Sequence, residues 1–164
     1  MAASKIKHAY DALLALRSLT DRATPVTADG AGGGYVDLHH LTSGGSYVGT
    51  PALPGALGDL VGKFGLTPFD VVIFVDAIDT TSGTETYTLN LQSVDLNKAN
   101  PTNVPGGSVT ITSALVGQPI VLKIDPENIG LVDADAAFLQ IAADVGGATP
   151  SISYYAFASK NMKA

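Results

Sequence analysis

Apolar and polar residues alternate in short runs along most of this chain, a period that predicts β-strands rather than helices. The clearest case is 84–92, where Tyr87, Leu89 and Leu91 alternate with threonine, asparagine and glutamine. We predict strands over residues 69–78, 84–92, 108–113, 120–124, 137–145 and 150–159, with weaker candidates at 24–28 and 35–38. Eight or nine short strands separated by turn residues predict an all-β fold, an antiparallel β-sandwich.

Short polar segments predict the turns between these strands. Residues 79–83 read as the loop of a hairpin that joins 69–78 to 84–92. Residues 105–107 and 125–128 read as further turns, because Gly, Pro, Asn and Asp dominate them.

Two stretches fit the strand pattern less simply. Residues 5–19 can be read at helical period, or as an extended arm that joins a strand near 12–19, which we favour. We therefore divide the chain into an N-terminal arm over 1–10 and one sandwich domain over 11–164. Residues 39–67 form a long Gly/Pro-rich loop, which could hold a short helix at 56–64. Connections of that length usually have a functional or binding role.

Two of the predicted strands are apolar on both faces. In 69–78, the odd-numbered residues are apolar, and Val72, Phe74 and Ile78 lie on the other face between two aspartates. In the last predicted strand, Tyr155 and Phe157 lie opposite a second apolar row. A strand that is backed by solvent has one polar face, so the arm, the long loop or another copy of the protein must cover these surfaces. This pattern predicts a protein that assembles.

Composition and charge narrow the choice of function. The net charge is −6, and the nine Lys and Arg residues are spread along the chain, so no basic stripe is available for nucleic acid. The absence of Cys excludes disulfides, thiolate zinc sites and a Cys nucleophile. No apolar run approaches the length of a membrane helix. Arg17 directly follows the apolar residues 12–16, which is unlike a signal peptide, so we expect the chain to stay in the compartment where it is made.

Neither the glycine-rich segment nor the histidines predict a phosphate or metal site. The glycine-rich segment 30–34 is not followed by the Lys-Ser/Thr of a phosphate loop, so we predict a flexible turn between two strands. His39 and His40 would point to opposite faces of a strand, and His8 is the only other histidine. A metal site is therefore disfavoured.

Carboxylates are the remaining catalytic candidates. Asp76, Asp79 and Glu85 flank the predicted hairpin, and Asp133 and Asp135 share a turn. Paired carboxylates can act as general acid and base or bind calcium. Aspartate also closes turns on its own backbone, and we favour this role because the aspartates lie mostly at strand ends. No Gly-x-Ser-x-Gly motif occurs. We predict neither an enzyme nor a cofactor, and calcium at one turn stays open.

A carbohydrate-binding module is the alternative function, because such modules are often β-sandwiches of this size. They stack sugars on aromatic rings, most often Trp, and this chain contains no Trp. Tyr154 and Tyr155 would place one ring on each face of a strand, so we predict one ring in the core and one in an interface.

Several segments resemble capsid cement (decoration) proteins of tailed bacteriophages. Residues 11–17 (DALLALR) and 25–38 (PVTADGAGGGYVDL) are similar to the opening of that family, 71–95 to its central strand pair, and 138–153 to its last hairpin. Residues 39–67 and 97–107 fit least well. The resemblance implies a jelly-roll-like β-sandwich, usually trimeric, on the outside of the head shell over junctions between major capsid protein subunits. It implies no cofactor and no catalytic residues.

The resemblance and the two-sided apolar strands together predict a structural virion protein. We expect it to be made in the host cytoplasm and to lie on the capsid exterior as a homotrimer bound to the major capsid protein, without contact to nucleic acid or membrane. Many copies would bury surface across the seams between capsomers and oppose bursting under DNA pressure. The arm and the 39–67 loop are the expected flexible contacts. The predicted interface residues are Ile6, Tyr10, Tyr47, Phe64, Val72, Phe74, Tyr155 and Phe157.

Overall fold

A computed structural model of the chain describes residues 14–38 and 68–160, with only the backbone of residue 160. The described chain consists of short and long β-strands, one α-helix and two 3-10 turns. The strands are β1 (Ala15–Arg17), β2 (Gly30–Ala31), β3 (Val36–Asp37), β4 (Phe69–Ile78), β5 (Thr86–Val94), β6 (Thr102–Thr110), β7 (Pro119–Ile124), β8 (Phe138–Gly146) and β9 (Ile152–Lys160). The helix α1 (Pro126–Val132) lies between β7 and β8, and the 3-10 turns are Asp21–Ala23 and Ser113–Leu115.

These strands form two antiparallel sheets. Sheet I has the order β1-β9-β4-β7, and sheet II has the order β2-β8-β5-β6, with β3 also paired to β8. The inner faces of both sheets supply one apolar core, in which Tyr87 of sheet II and Tyr154 of sheet I are the largest fully buried side chains. Burial of each large apolar side chain stabilises the fold by about 1.5–3 kcal/mol. The prediction of an all-β antiparallel sandwich is confirmed.

The connection between β4 and β5 differs from the predicted hairpin. β4 pairs with β7 and β9 in sheet I, whereas β5 pairs with β6 and β8 in sheet II. The segment between them therefore crosses from one sheet to the other. Tyr87 anchors this crossing, because its hydroxyl donates to the Asp79 carbonyl at 2.6 Å and accepts from the Ser151 N–H at 2.9 Å. The hairpin prediction was wrong because the alternation in a strand does not specify its neighbour.

A β-bulge in β4 reverses the faces of its last residues. Val75 pairs with Tyr154, but the next pair is Ala77 with Ser153, so the register shifts between them. Ile78 then lies opposite Ile152 and packs against the core, while Ala77 is exposed. The prediction that Ile78 shares a face with Val72 and Phe74 was wrong, because one extra residue in a strand moves every later side chain to the other face.

Two segments that the sequence predicts as turns belong to regular elements. Residues 126–132 form α1, in which the Asp125 carboxylate accepts the Glu127 N–H at 3.0 Å and Pro126 opens the first turn. An Asp N-cap followed by Pro is a helix start signal that the turn interpretation overlooked.

Residues 105–107 lie within β6, where the register with β5 shifts and Gly106 has a φ of 74°. Pro105 is tolerated within β6 because β6 is an edge strand of sheet II, where a missing N–H donor can face away from the sheet.

The first described segment confirms an extended conformation near the N-terminus. β1 pairs with β9, Ala15 opposite Phe157. Of the weaker strand candidates, Val26 makes a single bridge to Ile152, and 36–37 form β3. The arm over 1–10, the loop over 39–67 and the possible helix at 56–64 lie outside the described residues.

The two ends of the sandwich carry different connections. α1 joins the end of β7 to the start of β8, and the loop 95–101 joins the end of β5 to the start of β6. We call this the helix end. Leu38 also lies there, since its N–H donates to the Ala137 carbonyl at 3.1 Å. Phe69, at the start of β4, pairs with Ile124 at the end of β7 and so lies at the helix end as well.

Candidate interaction surfaces

The outward face of sheet I brings together four of the predicted interface residues. Phe74 lies opposite both Tyr155 and Pro119, and Val72 lies opposite both Phe157 and Val121. Directly opposite residues in an antiparallel sheet share a face, so these side chains form one layer. We call it the outer layer; its members are Val72, Phe74, Val121, Tyr155 and Phe157.

Three aromatic rings of the outer layer form a row across two strands. The ring centroids of Phe74 and Tyr155 are 5.6 Å apart at an interplanar angle of 26°, and those of Tyr155 and Phe157 are 6.4 Å apart at 9°. The Arg22 guanidinium lies 5.6 Å from the Tyr155 centroid and its Nε lies 3.2 Å from an Asp76 carboxylate oxygen. The sequence could not predict this row, because it depends on the pairing of β4 with β9.

The members of the outer layer differ in their exposure. Val72 and Phe157 are only 6% and 5% exposed, so the single chain already buries them. Phe74 and Tyr155 are half-buried, and Val121 is 40% exposed. Phe74 and Tyr155 are therefore open in part to a second molecule. The other predicted interface residues, Ile6, Tyr10, Tyr47 and Phe64, lie outside the described residues.

Tyr154 and Tyr155 occupy opposite faces of β9, as predicted. Tyr154 is fully buried in the core, whereas Tyr155 belongs to the outer layer. Beneath the Tyr154 ring lies Arg17, whose guanidinium carbon is 4.9 Å from the ring centroid. Arg17 is itself buried, and it donates from Nε to the Tyr154 carbonyl at 3.1 Å and from a terminal nitrogen to the Thr24 carbonyl at 2.6 Å. This buried cation thus ties the segment after β1 to sheet I.

The outward face of sheet II is polar and carries a chain of side-chain amides. Gln140 donates from Nε2 to Gln92 Oε1 at 2.9 Å, and Gln92 donates from Nε2 to Asn103 Oδ1 at 3.0 Å. Gln140 is buried, so this chain begins inside the protein and ends at the exposed Asn103.

An open cleft of about 520 Å³ lies over these amides. The exposed carboxylates of Asp29 and Asp144 stand at its side, which makes the cleft unsuited to an anion. Its lining residues are Asp29, Gly30, Ala31, Asn90, Gln92, Pro101, Asn103, Gln140, Ala142, Ala143 and Asp144. Amide donors and acceptors without an aromatic ring suit a neutral ligand that bears hydroxyl or amide groups.

The candidate catalytic carboxylates are engaged in local structure. Asp79 accepts from the Thr81 hydroxyl and from the Thr81 N–H, bonds that hold the pKa of its carboxyl below the ordinary value. Glu85 accepts from the Ser82 hydroxyl, which likewise lowers its pKa. Asp133 accepts from Ser93 Oγ at 2.5 Å and from the Asp135 N–H at 3.2 Å.

These contacts confirm the interpretation that the aspartates close turns. In the part of the chain that the structure describes, no group of three or more His, Asp or Glu side chains could hold a metal ion. The three histidines lie outside that part.

The glycine-rich segment 30–34 is more ordered than a flexible turn. Gly30 and Ala31 form β2, Gly32 donates its N–H to the Ile141 carbonyl at 2.7 Å, and Gly34 donates to the Leu16 carbonyl at 3.1 Å. Since Ile141 belongs to sheet II and Leu16 to sheet I, this segment joins the two sheets.

The helix end carries three exposed apolar side chains that the sequence did not single out. Leu131 is 82% exposed, Val132 50% and Leu96 45%. We call these three residues the helix-end patch. For Leu131, the signal that could have found it is the Asp-Pro helix start, because a helix over 126–132 cannot turn Ile129 and Leu131 to the same side.

No family model matches the chain, and no curated protein is significantly similar to it. Over residues 14–38 and 68–160, no helix is long and apolar enough to cross a membrane.

Proposed function

We propose that this chain is a capsid cement protein of a tailed bacteriophage, a structural protein with no catalytic activity. In this proposal the sandwich is jelly-roll-like and assembles as a homotrimer. The trimer binds the major capsid protein on the exterior of the head and stabilises contacts between its subunits. The resemblance seen in the sequence of 11–17, 25–38, 71–95 and 138–153 to that family motivates the proposal.

The outer layer of sheet I is the observation that carries the proposal. Phe74 and Tyr155 stack on each other while half-buried, and the apolar Val121 beside them is exposed. An apolar layer on the second face of a sheet is characteristic of a surface that another chain covers. A standard interface buries about 800 Å² per partner. Closed symmetry repeats one such patch without requiring a second kind of surface.

The mechanism is mechanical rather than chemical. Each trimer would contact several capsid subunits at once, and simultaneous contacts raise the effective concentration of every further contact. Individually modest contacts then hold the shell together, because all of them must break before neighbouring subunits separate. Asp79 and Asp133 each accept a backbone N–H two residues further along the chain, as turn-closing aspartates do.

Sedimentation tests the assembly directly. We expect the wild-type protein to sediment as a stable trimer, and the double variant Phe74→Ser/Tyr155→Ser to shift toward monomer by at least about tenfold in the association constant. Thr88→Ser/Asn90→Ser changes half-buried residues on the outward face of sheet II and serves as the matched control. A wild-type protein that remains monomeric at micromolar concentration contradicts the proposal.

Binding to heads tests the biological role. We expect the protein to bind saturably to phage heads that lack it, and to raise the temperature at which those heads release their DNA. Failure to bind under any salt condition would refute the assignment as a cement protein.

A carbohydrate-binding module is the second candidate, and the cleft of sheet II is the observation that favours it. Its amide chain offers hydrogen bonds to neutral hydroxyl groups. This candidate predicts a monomer that binds oligosaccharides on a glycan array and loses that binding in Gln92→Ala/Asn103→Ala. Glycan binding that survives these substitutions would exclude the cleft as the site.

A further inference from the structure

We infer that the helix end is the surface through which this chain docks on a positively charged, partly apolar surface of a different protein. The inference rests on the proposed function, in which that protein is the capsid shell. It assigns separate roles to two surfaces, with the outer layer of sheet I joining copies of this chain and the helix end facing the shell.

The helix-end patch is the first observation. Leu131 is 82% exposed, although Ile129 on the same helix is completely buried. Val132 and Leu96 are about half exposed as well. Apolar side chains scattered singly over a surface need no explanation, but several at one place mark an interaction site.

The fold brings the two segments that carry these side chains to the same end of the sandwich. Asp133, next to Val132, accepts a hydrogen bond from Ser93 Oγ at 2.5 Å, and the Ala137 N–H donates to the Val94 carbonyl at 2.8 Å. Leu96 follows two residues after Val94. These bonds tie the end of α1 to the end of β5, so the patch is part of the rigid sandwich.

Carboxylates outnumber lysines at the helix end, and we call these carboxylates the rim. The aspartates use their hydrogen bonds to close loops, and the Ala99 N–H with the Asn100 amide holds the pKa of Asp95 below its ordinary value, so its charge persists near neutral pH. Lys98, Lys123 and Lys160 also lie at this end, and Lys98 lies 4.7 Å from the centroid of the Tyr35 ring. The rim carboxylates are Asp95, Asp125, Glu127, Asp133 and Asp135.

This charge pattern favours a partner surface of opposite charge. An apolar centre within a charged rim is the usual composition of a protein interface. Two copies of this chain that met through their helix ends would bring like charges together, which disfavours self-association there. A surface with apolar side chains among Lys and Arg complements the rim.

Heads that lack this protein test the inference, with labelled wild-type protein as the probe. We expect Leu131→Ser/Val132→Ser to bind at least about tenfold more weakly than wild type. Its sedimentation coefficient should stay unchanged and its Tm within about 2 °C, because both side chains are exposed. Leu19→Ser alters a 40% exposed leucine that follows β1, away from the helix end, and should bind like wild type.

The rim is tested by charge reversal. We expect Glu127→Lys/Asp135→Lys to weaken binding, and wild-type binding to weaken between about 0.05 and 0.5 M NaCl, because salt screens charge attraction. Binding that is stronger after reversal overturns the inference.

The failures of the two proposals can be told apart. If wild type binds heads and Leu131→Ser/Val132→Ser binds equally well, the helix end is not the docking surface, and the cement function stands. If wild type does not bind heads, both proposals fall.

Discussion

Two buried tyrosines of the core differ in the hydrogen bonding of their hydroxyl groups. The Tyr87 hydroxyl donates to the Asp79 carbonyl and accepts from the Ser151 N–H. The Tyr154 hydroxyl is buried and has no hydrogen-bond partner among the described residues. Burial raises the pKa of Tyr154 to about 12, against a smaller opposing effect of Arg17. A buried polar group without a partner costs stability, so the two hydroxyls act in opposite directions.

Replacing each tyrosine with phenylalanine separates the two effects. We expect Tyr154→Phe to leave the free energy of unfolding unchanged or to raise it by about 1 kcal/mol, because it removes an unpaired hydroxyl. We expect Tyr87→Phe to lower it by about 1–2 kcal/mol, because the Ser151 N–H and the Asp79 carbonyl lose their partner. Urea denaturation at neutral pH measures both. Equal losses in the two variants would contradict the assignment of an unpaired Tyr154 hydroxyl.

Alternation in the sequence was enough to place Tyr154 inside and Tyr155 outside. It was also enough to assign the aspartates to turns, because aspartate bonds the backbone only two residues away. The partners of the tyrosine hydroxyls could not be predicted, since Ser151 reaches Tyr87 only through the stacking of two sheets.

Among the elements, long alternating strands were predicted best. β4 has the predicted bounds, and β5, β8 and β9 lie within two residues of theirs. The predictions failed where geometry depends on another strand. The bulge in β4 is a register shift in its pairing with β9. The crossing from β4 to β5 depends on which neighbours each strand has. α1 was missed for a different reason, because a seven-residue helix is too short to show its period.

Close contact between β1 and the glycine-rich segment gives a test at the element scale. A Cβ atom at Gly34 would lie 2.5 Å from the Ala15 carbonyl oxygen and 2.7 Å from that of Leu16, whereas a Cβ at Gly30 would meet nothing within 4 Å. We expect Gly34→Ala to lower the free energy of unfolding by at least about 2 kcal/mol, because backbone must move to relieve the overlap. Gly30→Ala, the matched control, should change it by less than about 0.5 kcal/mol. Thermal or urea unfolding measures both free energies. Equal losses in Gly34→Ala and Gly30→Ala would contradict the close approach of Gly34 to the β1 backbone.

For the whole molecule, surface carboxylates set the response to acid. Hydrogen bonds lower the pKa of Asp21, through Ser18, and of Asp95, through Ala99 and Asn100, below the ordinary value of 3.8. Asp79 and Glu85 are shifted in the same direction by Thr81 and Ser82. A carboxylate whose pKa is lower in the folded state binds protons more readily when unfolded. Its contribution is therefore complete above the unfolded pKa and is lost as pH falls through the folded one.

We accordingly expect the urea midpoint to be nearly constant from pH 7 to about 5 and to fall steadily below about 4. Asp95→Asn should have a lower midpoint than wild type at pH 7, and the difference should shrink as the pH falls below about 4, because Asp95 is then protonated in both states. Chemical denaturation across this pH range measures the effect. A wild-type midpoint that rises on acidification would contradict the assigned direction of these pKa shifts.

At this largest scale, the sequence predicted two sheets but not their membership. Sheet I joins β1 to β9 and β9 to β4, strands that are far apart along the chain. No local pattern specifies such pairings, and both candidate surfaces depend on them. The outer layer needs β4 beside β9, and the helix-end patch needs α1 beside the end of β5.

The position of β9 inside sheet I also determines the order in which the two sheets can form during synthesis. β9 lies between β1 and β4, yet more than a hundred residues are made between β1 and β9. At about 5–20 residues per second, a ribosome takes roughly 7–27 s to cover that distance. Throughout that interval β1 lacks its partner. After β7 has been made, β4 still has one open edge until β9 follows, and an open strand edge can pair with other nascent chains. All strands of sheet II have been made once β8 has emerged. Sheet II can therefore form first, and sheet I can then pack against it.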